Sequence, residues 1–116
     1  MGRLTTHVLD IAQGKPGAGM LVELYALERS RRLLASIRTN DDGRADKPLI
    51  EGKDFAIGQY ELVFHAGDYF KEAGLATASP PFLDEVPIRF AIASADSHYH
   101  VPLLVSPWAY STYRGS

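Results

Sequence analysis

Gln59-Tyr60-Glu61-Leu62-Val63-Phe64-His65 sets Tyr60, Leu62 and Phe64 on one side of an extended chain and Glu61, Val63 and His65 on the other. Side chains alternate faces along a strand, so this period of two marks a half-buried strand. The same period recurs in both directions. Upstream, Met20, Val22, Leu24 and Ala26 oppose Leu21, Glu23 and Tyr25; a further strand is expected from Leu33 to Thr39, and Leu4 to Ile11, rich in β-branched residues, reads as the first. Downstream, Val86, Ile88, Phe90 and Ile92 share one face with Arg89 opposite. Tyr99, Val101, Leu103 and Val105 repeat the pattern, and Trp108 to Arg114 resumes an extended, aromatic-rich run. Pro48 to Glu51 suits an edge strand, where a proline is tolerated.

The segments between these runs are turn chemistry. Gln13 to Gly19 carries three glycines and a proline and reads as a loop. Asn40-Asp41-Asp42-Gly43-Arg44 is a strong reversal, with Gly43 able to take positive φ. Arg29 to Arg32 forms a basic tip, and Ser79-Pro80-Pro81 a loop. One brief helix is predicted over 68–74, with Asp68 in its first turn, Gly74 as its stop, and Tyr69 or Phe70 pinning it to a sheet. Seven or eight short strands with a single helix predict an all-β antiparallel sandwich of two sheets. A parallel α/β fold would need long crossover helices that the chain lacks.

The chain has 116 residues, 46% of them apolar and 22% charged, consistent with one domain over 1–116 and a genuine core. A formal charge of −2 gives no large attraction to nucleic acid or to an anionic membrane. No apolar run approaches the roughly 20 residues that span a bilayer. The amino end shows no hydrophobic targeting core, so the cytoplasm is the expected compartment. Cysteine is absent, which removes disulfides and thiolate chemistry. No phosphate-cradling glycine spacing occurs.

Polar chemistry must therefore come from the four histidines, at 7, 65, 98 and 100, with arginine, hydroxyl and carboxylate partners. His98 and His100 project to one face of a strand, and that pair with His7 can hold water, substrate or a metal; spacing permits the metal without selecting it. His65 reads best as structural. Arg44 follows the sharp turn, which can aim its planar fork into a cleft, although a solvated hairpin tip is the plainer reading. Arg29, Arg31 and Arg32 read as solvated, with no aromatic platform in view, as do the pairs Asp41-Asp42 and Asp84-Glu85. The terminal Tyr113-Arg114-Gly115-Ser116 either finishes an edge strand or, if Trp108 and Tyr110 anchor it, places Tyr113 and Ser116 in a cleft. Ser116 lacks the strand-to-helix elbow of a nucleophilic serine.

Three blocks carry a resemblance: Leu4-Thr5-Thr6-His7-Val8-Leu9-Asp10, Thr39-Asn40-Asp41-Asp42-Gly43-Arg44, and His98-Tyr99-His100-Val101-Pro102-Leu103-Leu104 running to Tyr113-Arg114-Gly115-Ser116. The chain resembles the 5-hydroxyisourate hydrolases, the transthyretin-related enzymes of urate breakdown; the terminal Tyr-Arg-Gly-Ser separates them from transthyretin proper. The resemblance implies a transthyretin-like sandwich of two four-stranded sheets with one short helix, and a homotetramer, a dimer of dimers, with clefts where dimers meet. It implies hydrolysis of 5-hydroxyisourate to 2-oxo-4-hydroxy-4-carboxy-5-ureidoimidazoline without cofactor or metal. By the same likeness His7, Arg44, His100 and Ser116 are the expected catalytic positions. His7, Arg44, Tyr113 and Ser116 are expected to bind substrate, while His98 lies outside that set but emerges nearby. Gly17, where relatives more often have alanine, is a local departure. The rival reading is a transthyretin-like carrier of small molecules, and a further one is a structural sandwich module.

Overall fold

The computed structural model describes residues 1–75 and 78–115. Along the chain run β1 (Arg3–Asp10), β2 (Lys15–Pro16), β3 (Leu21–Leu27), β4 (Arg31–Arg38), β5 (Ile50–Glu51), β6 (Gly58–His65), α1 (Ala66–Glu72), β7 (Glu85–Ile92), β8 (His98–Val105) and β9 (Tyr110–Thr112). One sheet has the order β4-β3-β6-β7 and is antiparallel throughout. The other has the order β2-β1-β8-β9, with β5 also paired to β1. The sheets thus hold five and four strands where four and four were expected. The fifth comes from dividing one edge of β1 between two-residue strands: β5 pairs at Arg3 and Leu4, and β2 at Leu9 and Asp10. Lys15-Pro16 lies inside the glycine-rich stretch expected to be loop, and two residues carry no period to read.

The first and eighth strands correct a second expectation. They run parallel, in register from Arg3↔His98 through Thr5↔His100 and His7↔Pro102 to Asp10↔Val105. The intervening chain supplies the crossover by traversing the whole second sheet, so no crossover helix is needed in this sheet.

The alternation works as the residue pattern requires. Leu4, Val8, Tyr99, Val101, Leu103 and Val105 face inward from one sheet; Val22, Leu24, Leu62, Phe64, Val86, Ile88 and Ile92 meet them from the other. Even the one buried hydroxyl in this stretch of β1 is satisfied, Thr6 Oγ1 donating to the Val101 carbonyl at 2.7 Å.

The helix begins two residues before Asp68 and ends before Gly74, which still stops it with φ +76°. No side-chain cap marks its start. Its first turn is set by packing: Gly67 donates its N–H to the Asp84 carbonyl, and a Cβ there would lie 2.4 Å from the Asp84 carboxylate. Both candidate pins act, Phe70 by burial in the core and Tyr69 by donating its hydroxyl to Asp10 Oδ2 at 2.8 Å. Burial and that carboxylate push the Tyr69 hydroxyl well above its ordinary range.

The basic tip is exposed, as its composition suggests, but Arg31 does have an aromatic platform. Arg31 lies 3.6 Å over the Tyr25 ring and bonds Glu61 at 2.9 Å, while Arg89 bonds the other oxygen of the same buried carboxylate at 2.9 Å. Cross-strand pairing of Tyr25 with Glu61, and of Glu61 with Arg89, makes this clamp.

Candidate active site

The outward face of the five-stranded sheet is built by the β1–β8 register. Arg3, Thr5 and His7 leave β1 on the side opposite the core, and His98, His100 and Pro102 leave β8 on the same side. Thr5 therefore stands beside His100, and His7 is its diagonal neighbour.

Arg44 joins them because the middle of β1's edge is filled by the Asn40–Arg44 turn. Val8 donates its N–H to the Gly43 carbonyl at 2.7 Å, and His7 and Arg44 form an antiparallel bridge. The turn is held by Asn40 Oδ1, which accepts from the N–H of Asp42 at 2.9 Å and of Arg44 at 3.1 Å. Gly43 has φ +76°, and a Cβ there would sit 2.3 Å from the Val8 carbonyl. Only glycine fits both demands.

Each site imidazole has one nitrogen committed. His7 Nε2 donates to the Asp42 carbonyl at 2.9 Å. A carbonyl only accepts, so the hydrogen is on Nε2, and in the neutral ring Nδ1 keeps the lone pair. His100 Nδ1 lies 2.8 Å from Thr5 Oγ1, and His98 Nε2 lies 2.7 Å from the same oxygen. The chain end then closes over His100. Gly115 donates its N–H to the His100 carbonyl at 2.7 Å, and a Cβ on Gly115 would be 2.6 Å from the ring's Cδ2. Arg114 stacks 4.0 Å over Tyr99 on the core side of the same strand.

Both histidines are held below the ordinary imidazole value. For His7 the causes are burial and then the Arg44 guanidinium, which outweigh the Asp42 carbonyl's opposite pull. For His100 they are burial, then Arg44, His98 and His7. A shared positive neighbour and partial desolvation keep both rings neutral, ready to accept a proton.

Beside them is a cavity of about 380 Å³ lined by Arg3, Thr5, Arg44, Lys47, His98 and His100. Its charged side chains are all cationic. Among the described residues no group of three or more His, Cys, Asp or Glu is placed to share an ion.

Of the positions expected from sequence, His7, Arg44 and His100 are brought together. Tyr113 falls between the Leu103–Thr112 pair and the His100–Gly115 bridge, level with Pro102 and hence with His7, and is exposed. Ser116 lies outside the described residues. The Trp108 and Tyr110 side chains are exposed; the chain end is held by the pairing of β9 with β8, by Thr112 Oγ1 donating to the Pro102 carbonyl at 2.7 Å, and by Gly115 and Arg114. His65 is structural, its Nε2 bonded to Glu23 at 2.7 Å. Thr5, Gly115 and the Asp42 carbonyl are parts of the site that residue type did not single out. The only available signal was parity, since Thr5 shares a strand face with His7.

A two-sheet sandwich with a guanidinium and two neutral imidazoles on one outward face defines a transthyretin-like scaffold equipped for proton transfer. The HIUase/Transthyretin family model matches residues 4–115, and the chain belongs to this family. It is 63% identical over 116 residues to 5-hydroxyisourate hydrolase 2 of Rhizobium meliloti (strain 1021), covering 99% of this chain and 97% of that protein. Among solved structures it is similar to Klebsiella pneumoniae 5-hydroxyisourate hydrolase, with a TM-score of 0.82 and 33% identity over all of both chains. Sea bream transthyretin, solved in complex with thyroxine, aligns with a TM-score of 0.88 at 23% identity, covering 97% of this chain and 94% of that one; this likeness is one of fold.

Three outcomes follow from this geometry. Gly43→Ala forces an L-residue into the left-handed region, a cost of about 1–2 kcal/mol before the Val8 clash is counted. Urea denaturation will show at least that loss. Secondly, a neutral imidazole that persists below the ordinary value of 6.5 sets the acid limb of kcat/KM below that pH. The unfolded chain takes up protons first, so the fold also loses stability as pH falls through this range. Arg44→Gln removes a positive neighbour and will raise the titration midpoints of both His7 and His100 in NMR spectra; unchanged midpoints would refute the coupling.

Proposed function

We infer that this chain hydrolyses 5-hydroxyisourate, adding water to a ring amide carbonyl and opening the six-membered ring to give 2-oxo-4-hydroxy-4-carboxy-5-ureidoimidazoline. The observation that carries the reading is the pair His7 and His100, both kept neutral by burial and Arg44, with His100 and Arg44 lining one cationic cavity and His7 bridged to Arg44 beside it. Relatives named for this hydrolysis, similar along nearly the whole chain, support it.

Arg44 orients the substrate's polar edge and stabilises negative charge as the carbonyl is attacked. With His7 Nε2 bound to a carbonyl and His100 Nδ1 bound to a hydroxyl, the proton-exchanging atoms are His7 Nδ1 and His100 Nε2. Between them they take a proton from water and return one to the departing ring nitrogen. Tyr113 forms a cleft wall, and Ser116, adjoining the anchored Gly115, positions substrate or a neighbouring imidazole. The scheme needs no metal and no organic cofactor.

We assign a homotetramer, a dimer of dimers that closes the cleft between facing copies. The exposed Trp108, Tyr110 and Tyr113 lie in or beside β9, which ends one sheet as β7 ends the other, and exposed edges of this kind call for a partner. The compartment assigned is the cytoplasm, with which a cysteine-free chain is compatible.

Following the ultraviolet absorbance of 5-hydroxyisourate generated from urate tests the activity. The protein will accelerate its decay, and chelator treatment will leave the acceleration intact. His7→Ala and His100→Ala will each lower kcat by about 10²- to 10⁴-fold while thermal melting shifts little; full activity in both variants refutes the assignment. Sedimentation at assay concentration will show four copies, and an active monomer would overturn the assembly.

A further inference from the structure

One hydroxyl touches two imidazoles. Thr5 Oγ1 is 2.8 Å from His100 Nδ1 and 2.7 Å from His98 Nε2. A hydroxyl has a single proton to give and two lone pairs with which to accept. It can donate to only one of those nitrogens, so the other must carry a hydrogen and donate to it. Two arrangements satisfy both contacts when the rings are neutral. In the first, His100 Nδ1–H points to Oγ1 and the hydroxyl points to His98; His100 Nε2 then has its lone pair free. In the second the directions are reversed, and His100 Nε2 carries the hydrogen. The first presents a base to the cleft and the second an acid.

We propose that Thr5 is a proton relay between His100 and His98, and that its reversal switches His100 from base to acid within one turnover. The inference rests on the proposed role of His100 in hydrolysis. In the step that activates water, a water O–H bond breaks as His100 Nε2–H forms. The His100 Nδ1–H bond breaks as a new Oγ1–H forms, and the old Oγ1–H breaks as His98 Nε2–H forms. Three bonds to hydrogen break and three form. The products are hydroxide for attack on the carbonyl, a neutral His100 bearing Nε2–H, and a positively charged His98. When Nε2–H is given to the departing nitrogen, the relay runs backwards and His98 returns to neutrality.

The surroundings explain why the charge belongs on His98. His100 is half-buried, and burial and the positive Arg44 guanidinium both oppose an imidazolium there. His98 is exposed, so water solvates its cation. The groups lining the cavity around the pair are Arg3 and Thr5 from β1 and Arg44 and Lys47 from the segment before β5, with His7 of β1 close enough to act on His100 by its charge; no carboxylate lines this cavity among the described residues. A route that exports positive charge from the guanidinium towards solvent therefore lowers the cost of the step. Thr5 acts through His100 and is a positioning and relay residue.

Thr5→Val keeps the β-branched shape and removes only the hydroxyl. It will lower kcat by about tenfold or more, within the range of acid–base assistance, and leave KM within about twofold. Thr5→Ser will restore kcat to within about threefold of the wild type. His98→Phe, on an exposed ring, will lower kcat comparably, and Thr5→Val/His98→Phe will be no slower than Thr5→Val alone because both interrupt one chain. Imidazole ¹⁵N shifts of the resting enzyme will show a hydrogen on one of the two nitrogens facing Oγ1, with that preference lost in Thr5→Val. An unchanged kcat in Thr5→Val, a failed rescue by serine, or losses that multiply in the double variant would overturn the relay. Absence of hydrolysis by the wild type would instead remove the proposed function, and the ¹⁵N spectra would still decide the hydroxyl's role.

Discussion

The parallel pairing of β1 with β8 is the constraint on which the rest depends. Eight consecutive residues of each strand are matched, from Arg3↔His98 to Asp10↔Val105. Inward, that ladder aligns Leu4, Val8, Val101 and Leu103 as half of the core. Outward, it aligns Thr5 with His100 and sets His7 a step away. One register thus serves stability and chemistry together. A slip by one residue would turn the imidazoles into the core and the leucines into water, so the apolar face enforces the geometry of the polar one.

The other edge of β1 has an equally direct consequence. A continuous partner strand would have left no room for Arg44. The edge is instead shared by β5, the Asn40–Arg44 turn and β2, and the turn occupies the stretch beside His7 and Val8. The Asp42 backbone carbonyl meets His7 Nε2, and the Gly43 carbonyl meets the Val8 N–H. Asp42 and Gly43 thus serve the site through main-chain atoms.

Much of this was legible in residue order. Alternation over 59–65, 20–26 and 99–105 located the long strands, and the Asp42-Gly43 pair located the reversal. His7, Arg44 and His100 were named from a resemblance carried by local blocks, and the fold brings all three to one face. The failures have common causes. Two-residue strands such as Lys15–Pro16 have no period. The direction of a strand relative to its neighbour is not written within the strand, so the parallel β1–β8 pair read as antiparallel. The helix start was placed late because packing of Gly67 against Asp84, not a capping side chain, determines it. Arg31 is exposed as expected, but its aromatic platform and ion-pair partner were missed because Tyr25 and Glu61 lie on other strands. Thr5 escaped notice because threonine in a strand is ordinary until a second strand is laid beside it.

The two sheets also treat charge in opposite ways, and the contrast bears on function. On the four-stranded sheet, Glu61 is buried and two arginines neutralise it; burial alone would raise its pKa, but the Arg89 and Arg31 bonds prevail and hold it below the ordinary carboxylate value. Both oxygens of the buried carboxylate are thus paired, as a structural ion cluster requires. On the five-stranded sheet, Arg3, Arg44 and Lys47 line a cavity to which no carboxylate contributes among the described residues, although the whole chain carries a net −2. Positive charge gathered without a matching carboxylate raises the cost of protonating either imidazole and lowers the cost of negative charge developing on a bound carbonyl. The first keeps the imidazoles in their proton-accepting form and makes a charge left on either of them costly; the second stabilises the oxyanion formed when water adds to the carbonyl. A carrier needs neither, which is why the shared fold with transthyretin does not extend to a shared task.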